Sequence, residues 1–273
     1  MKIDGHHHIG HLGKSVDDVL RHMDAHQVER AVLLAIDDID GGRAANANEL
    51  VLAEAARRPE RFIAFVHVDP RREDRIGRLR RLAEAGGRGF GEHKLPMAVD
   101  DPRAVELYQV AGDMGLPVLI HFEHGRFNTG LARFDDVLRR CPRTVFIGHG
   151  QTWWANIEAG QERQEGYPSG PISAAGLIDR WLAQQPNLYA DLSARSGLNA
   201  LSRDRGFARG FVTRHWGKLI WGTDCPCRDG AGGGFEGRCF GRQMLGLLDQ
   251  LCGSHSEQLG AIVGGNLAGL LGL

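Results

Sequence analysis

The segment Ile3-Asp4-Gly5-His6-His7-His8 joins an apolar start to three consecutive histidines. On an extended strand His6 and His8 are two residues apart, so both side chains point to the same side. Two imidazoles directed at one point form half of a zinc site. A tag remnant or a solvated loop is the ordinary alternative, but three histidines are too few for a tag, and Ile3 and Asp4 continue the strand. The segment therefore predicts a first strand that ends at a metal site.

Seven further short apolar runs follow along the chain, and amphipathic stretches separate them. This alternation is typical of βα units, and several runs lack polar alternation, as expected for parallel strands buried on both faces. A doubly wound open sheet would share these features. The count of eight favours a single (β/α)8 TIM barrel over residues 1–273, because one such barrel typically takes about 250 residues. The predicted strands are residues 2–8, 30–36, 61–66, 89–93, 117–122, 144–149, 187–191 and 218–222.

Between the predicted strands, apolar residues recur at the helical spacing i, i+3, i+4, i+7. The first such set, within 16–23, follows Ser15 as N-cap, with Asp18 three residues later. The same spacing recurs within 107–114 and 244–251. These patterns predict amphipathic helices that cover the outside of the barrel.

The composition favours a small-molecule partner. Charged residues make up 25% of the chain and the formal net charge is -1, which supplies no basic field for nucleic acid or a membrane surface. Residues 1–10 contain Lys2, Asp4 and three histidines, unlike the apolar part of a signal peptide. Apolar runs fall short of the roughly 18 residues of a membrane helix, and five scattered cysteines fit a reducing compartment. We therefore expect a cytoplasmic protein.

Polar residues lie where three other predicted strands end. His121 ends the fifth strand, His149 ends the sixth, and Asp224 follows the eighth. Each alone is more typical of a hydrogen-bonded histidine or a turn carboxylate. Barrel enzymes place their sites at the carboxyl ends of the strands, so the shared position favours metal binding or acid–base chemistry. The long segments 150–171 and 225–242 also follow strands, and such loops are often functional.

Together these residues resemble the amidohydrolase superfamily, whose first strand carries the form D-x-H-x-H found here at residues 4–8. The chain is most similar to the amidohydrolase-related (amidohydrolase 2) branch, and segments 188–193 and 264–271 resemble that branch's closing segments. The branch contains hydrolases of amides, esters and lactones, together with non-oxidative decarboxylases and hydratases of small aromatic or unsaturated acids. The resemblance implies a metal-dependent barrel enzyme.

The resemblance also implies roles for individual residues. His6, His8 and Asp224 would bind one divalent metal, and His121 would be a further ligand. His149 would bind a second metal or act as catalytic acid or base. Asp224 would take a proton from the attacking water and pass it to the leaving group. Asp224 and His149 are therefore the predicted catalytic residues.

The fourth predicted strand offers two candidate ligands, Glu92 and Lys94, which are two apart and face the same way. The resemblance implies either a glutamate or a carboxylated lysine that bridges two metals. Glu92 is favoured because its glycine-flanked setting resembles the glutamate version. Lys94 is expected to bind a substrate anion or to be solvated. A salt bridge from Glu92 to a neighbouring loop is the alternative.

Further substrate-binding candidates lie close to the strand ends. Arg126 and Arg195 have the planar guanidinium that suits a carboxylate. Trp153 could line an apolar pocket, or pack beneath the loop that follows His149. His67 ends the third strand and could reach the mouth, although a structural histidine is the more ordinary interpretation.

Three cysteines, Cys225, Cys227 and Cys239, lie in the long segment after the eighth strand. Their C-x-C spacing with one later cysteine falls short of a four-ligand structural zinc site. The sequence therefore predicts ordinary thiols near the mouth.

These residues and the family resemblance imply a metal-dependent hydrolase that uses metal-activated water on an amide, ester or lactone bond of a small organic acid. The alternative is a metal-dependent non-oxidative decarboxylase of a small aromatic or unsaturated acid. A non-catalytic ligand-binding barrel is the third hypothesis. Imidazole and carboxylate ligands suit zinc best and also admit manganese, iron or cobalt, with one or two ions per chain. The expected partner is a small carboxylate substrate, and a homo-oligomer stays open.

Overall fold

The computed structural model describes residues 1–36, 47–160 and 166–273. Eight strands form one sheet in chain order, and each pairs in parallel with the next. The strands are β1 Ile3–His7, β2 Arg30–Leu34, β3 Phe62–Val66, β4 Gly89–His93, β5 Val118–His121, β6 Phe146–His149, β7 Leu188–Asp191 and β8 Leu219–Ile220. All eight lie within the predicted segments.

The first and last strands meet, which closes the barrel. The amide of Gly5 on β1 donates to the carbonyl of Trp221, just past β8, at 3.1 Å. The amide of Asp224 donates to the carbonyl of His6 at 2.8 Å. A side chain at Gly5 would meet Ile220 on β8, so glycine permits this close approach. The predicted (β/α)8 TIM barrel is confirmed and the open sheet is excluded.

Helices follow the strands around the outside. They are α1 Val16–Ala25, α2 Ala47–Arg57, α3 Arg75–Glu84, α4 Pro102–Asp113, α5 Phe134–Arg140, α6 Gln151–Ala155, α7 Leu177–Gln184, α8 Ala194–Ser202, α9 Arg205–His215, α10 Phe240–Cys252, α11 Ser256–Gly260 and α12 Asn266–Leu271. Short 3-10 turns lie at His11–Gly13, Leu131–Arg133 and Trp216–Lys218, and a π-helical segment lies at Ala261–Gly265. Within the described residues, no helix has both the length and the apolar character needed to cross a bilayer.

The predicted start of the first helix is confirmed. Ser15 and Asp18 form a capping box at α1, because the Ser15 hydroxyl accepts from the Asp18 amide while the Asp18 carboxylate accepts from the Ser15 amide. The predicted segments 107–114 and 244–251 fall largely on α4 and on α10.

Alternation along the strands divides the core into two layers. Leu119 faces the barrel interior, while its neighbours Val118 and Ile120 pack outward under the helices. Leu267 and Leu271 of α12 join the interior cluster. They close the amino end of the barrel, since α12 contacts β1 and β8 and the Leu271 carbonyl accepts from Arg88, just before β4. The carboxyl end is left to the polar residues that follow each strand.

Helix α4 packs closely on the chain before β6 at Gly112. A Cβ atom there would lie 2.3 Å from Thr144 Oγ1 and 2.8 Å from the Thr144 amide nitrogen. We expect Gly112→Ala to destabilise the fold by about 1–3 kcal/mol, because the overlap involves backbone that cannot move aside freely. Urea unfolding followed by circular dichroism measures the effect.

Gly246→Ala is the matched control for this change. Gly246 lies on an exposed part of α10, and a Cβ atom added there would have no neighbouring atom within 4 Å. Alanine at this position is expected to be neutral or to stabilise the helix by up to about 1 kcal/mol. Equal changes for the two variants would contradict the packing described for Gly112.

Candidate metal centre

Six predicted ligands lie together at the carboxyl end of the barrel, and we call them the ligand ring. They form three overlapping groups whose potential ligand atoms lie within 4.8 Å of one another. Five of the six are buried, and the Asp224 side chain is 26% exposed, which leaves it open to the barrel mouth. The ring consists of His6, His8, Glu92, His121, His149 and Asp224.

The three consecutive histidines of the first strand point in alternating directions. The Nε2 atoms of His6 and His8 lie 3.0 Å apart at the ring. His7 points elsewhere, with Nδ1 3.1 Å from both the Asp4 carboxylate and the Thr223 hydroxyl. Of the three, the two alternate histidines therefore enter the ring, as expected for a strand.

The Nδ1 atoms of His6 and His8 make hydrogen bonds on the side of each imidazole that faces away from the ligand ring, and these bonds fix the tautomers. His8 Nδ1 lies 3.0 Å from the carbonyl of Leu34, which can only accept, so Nδ1 carries the proton. His6 Nδ1 lies 2.7 Å from the carboxylate of Asp191. Both Nε2 atoms then present lone pairs to the same point. Two facing lone pairs at 3.0 Å repel unless a proton or a metal lies between them, and this is the donor geometry that a metal requires.

Asp191 at the end of β7 is a site residue that the sequence analysis missed. It is fully buried, and its Oδ2 lies 2.7 Å from His6 Nδ1 and 3.0 Å from His149 Nδ1. Ser193 supports it, because its hydroxyl donates to Asp191 Oδ2 at 2.6 Å. One carboxylate thus orients two imidazoles. The available signal was a carboxylate at a strand end, the same signal that identified Asp224.

The carboxylate of Glu92 lies between two pairs of histidines. Its Oε2 is 3.5 Å from His8 Nε2 and 4.0 Å from His6 Nε2. Its Oε1 is 2.7 Å from His121 Nδ1 and 3.9 Å from His149 Nε2. Each oxygen therefore faces one pair of histidines, and Oε1 is hydrogen-bonded to His121 Nδ1.

Asp224 completes the ring on its open side. Its Oδ1 lies 3.6 Å from His8 Nε2 and 3.8 Å from His6 Nε2, while its Oδ2 lies 3.7 Å from His149 Nε2. It takes a left-handed conformation with φ of 38°, which is uncommon outside glycine. The backbone is bonded to β1 at this point, so the conformation turns the carboxylate toward the histidines.

The ring combines buried carboxylates with buried imidazoles, and each shifts the pKa of the other. Burial alone would lower the pKa of His6, but the carboxylates of Asp224, Asp191 and Glu92 raise it to about 10. Burial alone would raise the pKa of Glu92, yet His121 and His8 hold it well below its ordinary value. The metal-free ring therefore holds at least one proton at neutral pH, in the place where a cation would bind.

His149 behaves differently from His6. Burial and the neighbouring charge on His6 lower its pKa, in spite of the Asp191 carboxylate. A neutral His149 donates from Nδ1 to Asp191 and keeps a lone pair on Nε2 directed at the ring. Its side chain therefore has the protonation state of a metal ligand.

Comparison with known proteins agrees with this arrangement. A family model described as Amidohydrolase (Amidohydro_2) matches residues 3–237. This chain belongs to the amidohydrolase family. The family resemblance inferred from the sequence is thereby confirmed. No curated protein matches the chain.

Solved structures share the amidohydrolase fold over nearly the whole chain. An uncharacterised TIM-barrel protein from Bordetella bronchiseptica is 19% identical with a TM-score of 0.71, over 99% of this chain and 98% of its own. A probable 2-pyrone-4,6-dicarboxylic acid hydrolase from Acinetobacter baumannii, with citric acid bound, is 15% identical with a TM-score of 0.64, over 100% and 99%. A dihydroxybenzoic acid decarboxylase from a Polaromonas species, with bound manganese and the inhibitor 2-nitroresorcinol, is 16% identical with a TM-score of 0.62, over 100% and 97%.

Three predicted substrate-binding residues of this amidohydrolase lie on segments that follow the strands. Lys94 follows β4, with its Nζ 5.2 Å from the centre of the Phe127 ring. Arg126 stacks on the same ring at 4.8 Å and pairs with Glu123. Arg195, at the start of α8, lies over the Tyr167 ring at 4.5 Å. All three cations pack on aromatic rings, an arrangement that orients a guanidinium or ammonium group.

Two other predicted substrate-binding residues, Trp153 and His67, are buried against other aromatic rings. The indole of Trp153 is fully buried and stacks on Phe122 at 5.8 Å, in the outer layer beneath the helices. His67 is 1% exposed and stacks on His93 at 5.7 Å. Both placements fit the packing alternative given for each residue from the sequence. The structure describes the predicted loop 150–171 except for residues 161–165.

The proposed role of Asp191, which is to orient His6 and His149 in the ligand ring, can be tested without a substrate. Asp191→Asn should weaken metal binding about 10- to 100-fold, because an amide holds the imidazoles of His6 and His149 less firmly in the required tautomer. Competition with a chromogenic chelator measures the affinity. Asp179→Asn is the control, since Asp179 makes a comparable bond to His215 outside the ring. Unchanged affinity in the Asp191 variant would contradict the proposed orientation.

The raised pKa of His6 predicts proton release when the metal-free protein binds a divalent ion. Because the imidazolium persists up to about pH 10, binding must displace its proton, and apparent affinity should rise with pH in that range. The same proton stabilises the metal-free fold fully below pH 6.5, and that contribution is lost as pH rises through about 10. Calorimetry in buffers of different ionisation enthalpy counts the protons. Binding without proton release would show that His6 is not a ligand.

Proposed function

We propose that this amidohydrolase is a metal-dependent hydrolase of an amide, ester or lactone bond in a small organic acid. The observation that carries the proposal is the position of Glu92, whose two carboxylate oxygens each face a separate pair of histidines. A carboxylate in that position suits a pair of divalent ions. A two-ion centre favours hydrolysis, because it can hold a water and a substrate oxygen at the same time.

The ligand ring supplies suitable donors for such a centre. His6 and His8 face one oxygen of Glu92, and His121 and His149 face the other. When bound, a divalent metal lowers the pKa of its water ligand to about 7 and polarises a substrate carbonyl. The ligands are nitrogen and oxygen atoms, a set that zinc, manganese, iron and cobalt all accept.

Asp224 is the general base in this proposal. Burial alone would raise its pKa, but the imidazoles of His6 and His8 lower it, so its carboxylate is ionised at neutral pH. It is also the most exposed member of the ring, at 26% of its side-chain area. An ionised carboxylate at the open side can take a proton from water and return it to the leaving group.

His149 is assigned as a ligand in this proposal, and not as the catalytic acid. Its lowered pKa keeps it neutral, and its one proton is committed to Asp191 through Nδ1. It therefore has no proton to give a substrate. Of the two roles that the sequence left open for His149, metal ligand and catalytic acid or base, this proposal keeps the first. Asp224 then both takes the proton from water and returns it to the leaving group.

The substrate is proposed to be a small carboxylate. Arg126 and Lys94 bring positive charge to the segments after β5 and β4, and Arg195 brings it after β7. A guanidinium fork binds a carboxylate with two parallel hydrogen bonds. The related structures with bound citric acid and with 2-nitroresorcinol hold small oxygen-rich ligands, which is consistent with such a substrate.

Non-oxidative decarboxylation is the second candidate function. The pairing of Arg195 with the Tyr167 ring favours it, since an arginine beside an aromatic surface suits an aromatic acid. A manganese-bound decarboxylase is also among the structures that share the fold. A centre with a single ion would leave Glu92 unshared and would raise this candidate above hydrolysis.

Asp224→Asn should separate catalysis from metal binding. The amide cannot accept a proton, so we expect turnover to fall by about 10²- to 10⁴-fold while most of the metal is retained. The assay is a panel of lactones, esters and amides of small dicarboxylic acids, run beside dihydroxybenzoates with carbon dioxide release as the readout. Metal content is measured on the same preparation.

Glu236→Gln is the control for this variant, because Glu236 is an exposed carboxylate in the same long loop and forms an ion pair with Arg238 away from the ring. It should retain full turnover and full metal. Wild-type turnover in Asp224→Asn would remove the proposed base. Carbon dioxide release without activity on any lactone, ester or amide would replace the hydrolase with the decarboxylase.

A further inference from the structure

The fold brings a second set of metal-binding groups together beside the ligand ring. Cys225, Cys227 and Cys239 from the loop between β8 and α10 meet His22 of α1. The ligand atoms of all four lie within 4.8 Å of one another, and all four residues are buried. We call this group the cysteine cluster. From the sequence the three cysteines lacked a fourth partner, and the structure supplies it from a helix far away along the chain.

We propose that the cysteine cluster is a structural zinc site with three thiolate ligands and one imidazole ligand. The distances support this assignment. Zinc bonds of about 2.3 Å to sulfur and about 2.0 Å to nitrogen in a tetrahedron place two sulfurs about 3.8 Å apart, and sulfur and nitrogen about 3.5 Å apart. Here His22 Nε2 and Cys239 Sγ are 3.5 Å apart, which matches such a site. Cys225 Sγ and Cys227 Sγ are 3.2 Å apart, so these two sulfurs would separate by about 0.6 Å on binding the ion. All three cysteines are free thiols in the structure.

Backbone amides donate to two of the three sulfurs, as expected for thiolates. The amide of Phe240 donates to Cys225 Sγ at 3.3 Å, and the amide of Arg242 donates to Cys239 Sγ at 3.5 Å. A thiolate accepts such bonds and offers no proton in return, so this pattern matches sulfur ligands held by their outer hydrogen bonds.

The dipole at the N-terminus of α10 favours a negative charge on Cys239. Cys239 is the N-cap of this helix, which runs from Phe240 to Cys252. A helix N-terminus stabilises negative charge and promotes thiolate formation. His26, the residue that caps the end of α1, places its Nε2 3.3 Å from the same sulfur and can donate to it. These groups favour the ionised form of Cys239, whereas the neighbouring thiols of Cys225 and Cys227, together with burial, raise the pKa of its thiol when no ion is bound.

The charge of the proposed site is balanced by a buried lysine. Three thiolates, one neutral imidazole and Zn²⁺ give a net charge of minus one, which is costly to bury without a partner. Lys14 is 6% exposed, and its ammonium group donates to the Cys225 carbonyl beside the cluster. It also lies 3.3 Å from His7 Nε2, so it joins the cysteine cluster to the first strand.

The zinc would fix the loop that carries Asp224. Cys225 follows Asp224 directly, and the bound ion would tie this point of the chain to α1 through His22. The site is separate from the ligand ring, because none of its four residues belongs to the ring. It therefore acts on loop structure, and its ligand set leaves no open position for catalysis.

The test begins with a protein in which the ligand ring is disabled and the cysteines are untouched. We expect His6→Ala combined with His8→Ala, expressed without a histidine tag, to retain one equivalent of zinc by elemental analysis. X-ray absorption should show zinc–sulfur scattering at about 2.3 Å. Replacement of the zinc by cobalt should give sulfur-to-cobalt charge-transfer absorption in the near ultraviolet. This arm requires no cysteine variant to fold.

The second arm removes single ligands from the wild-type protein. Cys227→Ser and His22→Ala should each lose one equivalent of zinc relative to wild type, and should unfold at a lower temperature. Cys141→Ser and Cys252→Ser are the controls, because both cysteines are buried outside the cluster. They should keep the full zinc content.

Three outcomes would overturn the proposal. The double ring variant could purify without zinc after growth in zinc-supplemented medium. Its zinc could show only nitrogen and oxygen neighbours by X-ray absorption. A thiol count on the denatured, unreduced protein could reveal a disulfide among Cys225, Cys227 and Cys239. Loss of activity in the ring variants would bear on the proposed hydrolase alone, and would leave this site to be judged by its sulfur signature.

Discussion

The buried carboxylate of Asp191 controls the direction of two imidazoles on different strands. It accepts from His6 on β1 and from His149 on β6, so both rings turn their Nε2 atoms toward the same space. Burial alone would raise the pKa of Asp191, but the two imidazoles hold it well below its ordinary value and keep it ionised. Without that charge, the tautomers of both histidines would be free to change, and the donor geometry at the ring would be lost.

The barrel limits the free-energy cost of burying these ionised side chains, because it places all of them at its carboxyl end. Parallel strands deliver their terminal residues to the same edge, while apolar side chains such as Leu119 fill the interior below. Ionised groups gathered in this way repel or need counterions, and the metal-free protein meets that need with a protonated His6. A divalent cation would take over the same role with a stronger field, which explains why so many donors point at a small space.

Much of the fold was predictable because each strand carries its own local signal. The eight apolar runs, and the Ser15 cap of α1, depend on neighbours in sequence, so periodicity and capping rules identify them. The gathering of strand-end residues into a ring also follows from parallel topology. The directions of side chains just past the strand ends cannot be predicted from the topology, because they depend on how the backbone turns there. Trp153 and His67 therefore pack outward, although their positions in sequence resemble those of ring residues.

Contacts between elements that are distant in sequence could not be predicted from the sequence either. Nothing local to α1 indicates that His22 meets three cysteines that follow β8, since that contact exists only once the barrel closes. The position of Asp191 at a strand end was visible in the sequence, but its bonds to His6 and His149 join three different strands and so required the structure. The family resemblance supplied a ligand set, whereas the hydrogen bonds that orient those ligands came from the structure.

The most direct test of the central claim is anomalous diffraction from crystals of the untagged protein, with data collected above and below the absorption edge of the metal present. We expect two anomalous peaks within the ligand ring, one on each side of the Glu92 carboxylate and each next to its own pair of histidines, apart from any peak at the cysteine cluster. A map with no peak within reach of His6, His8, His121 and His149 would contradict this expectation.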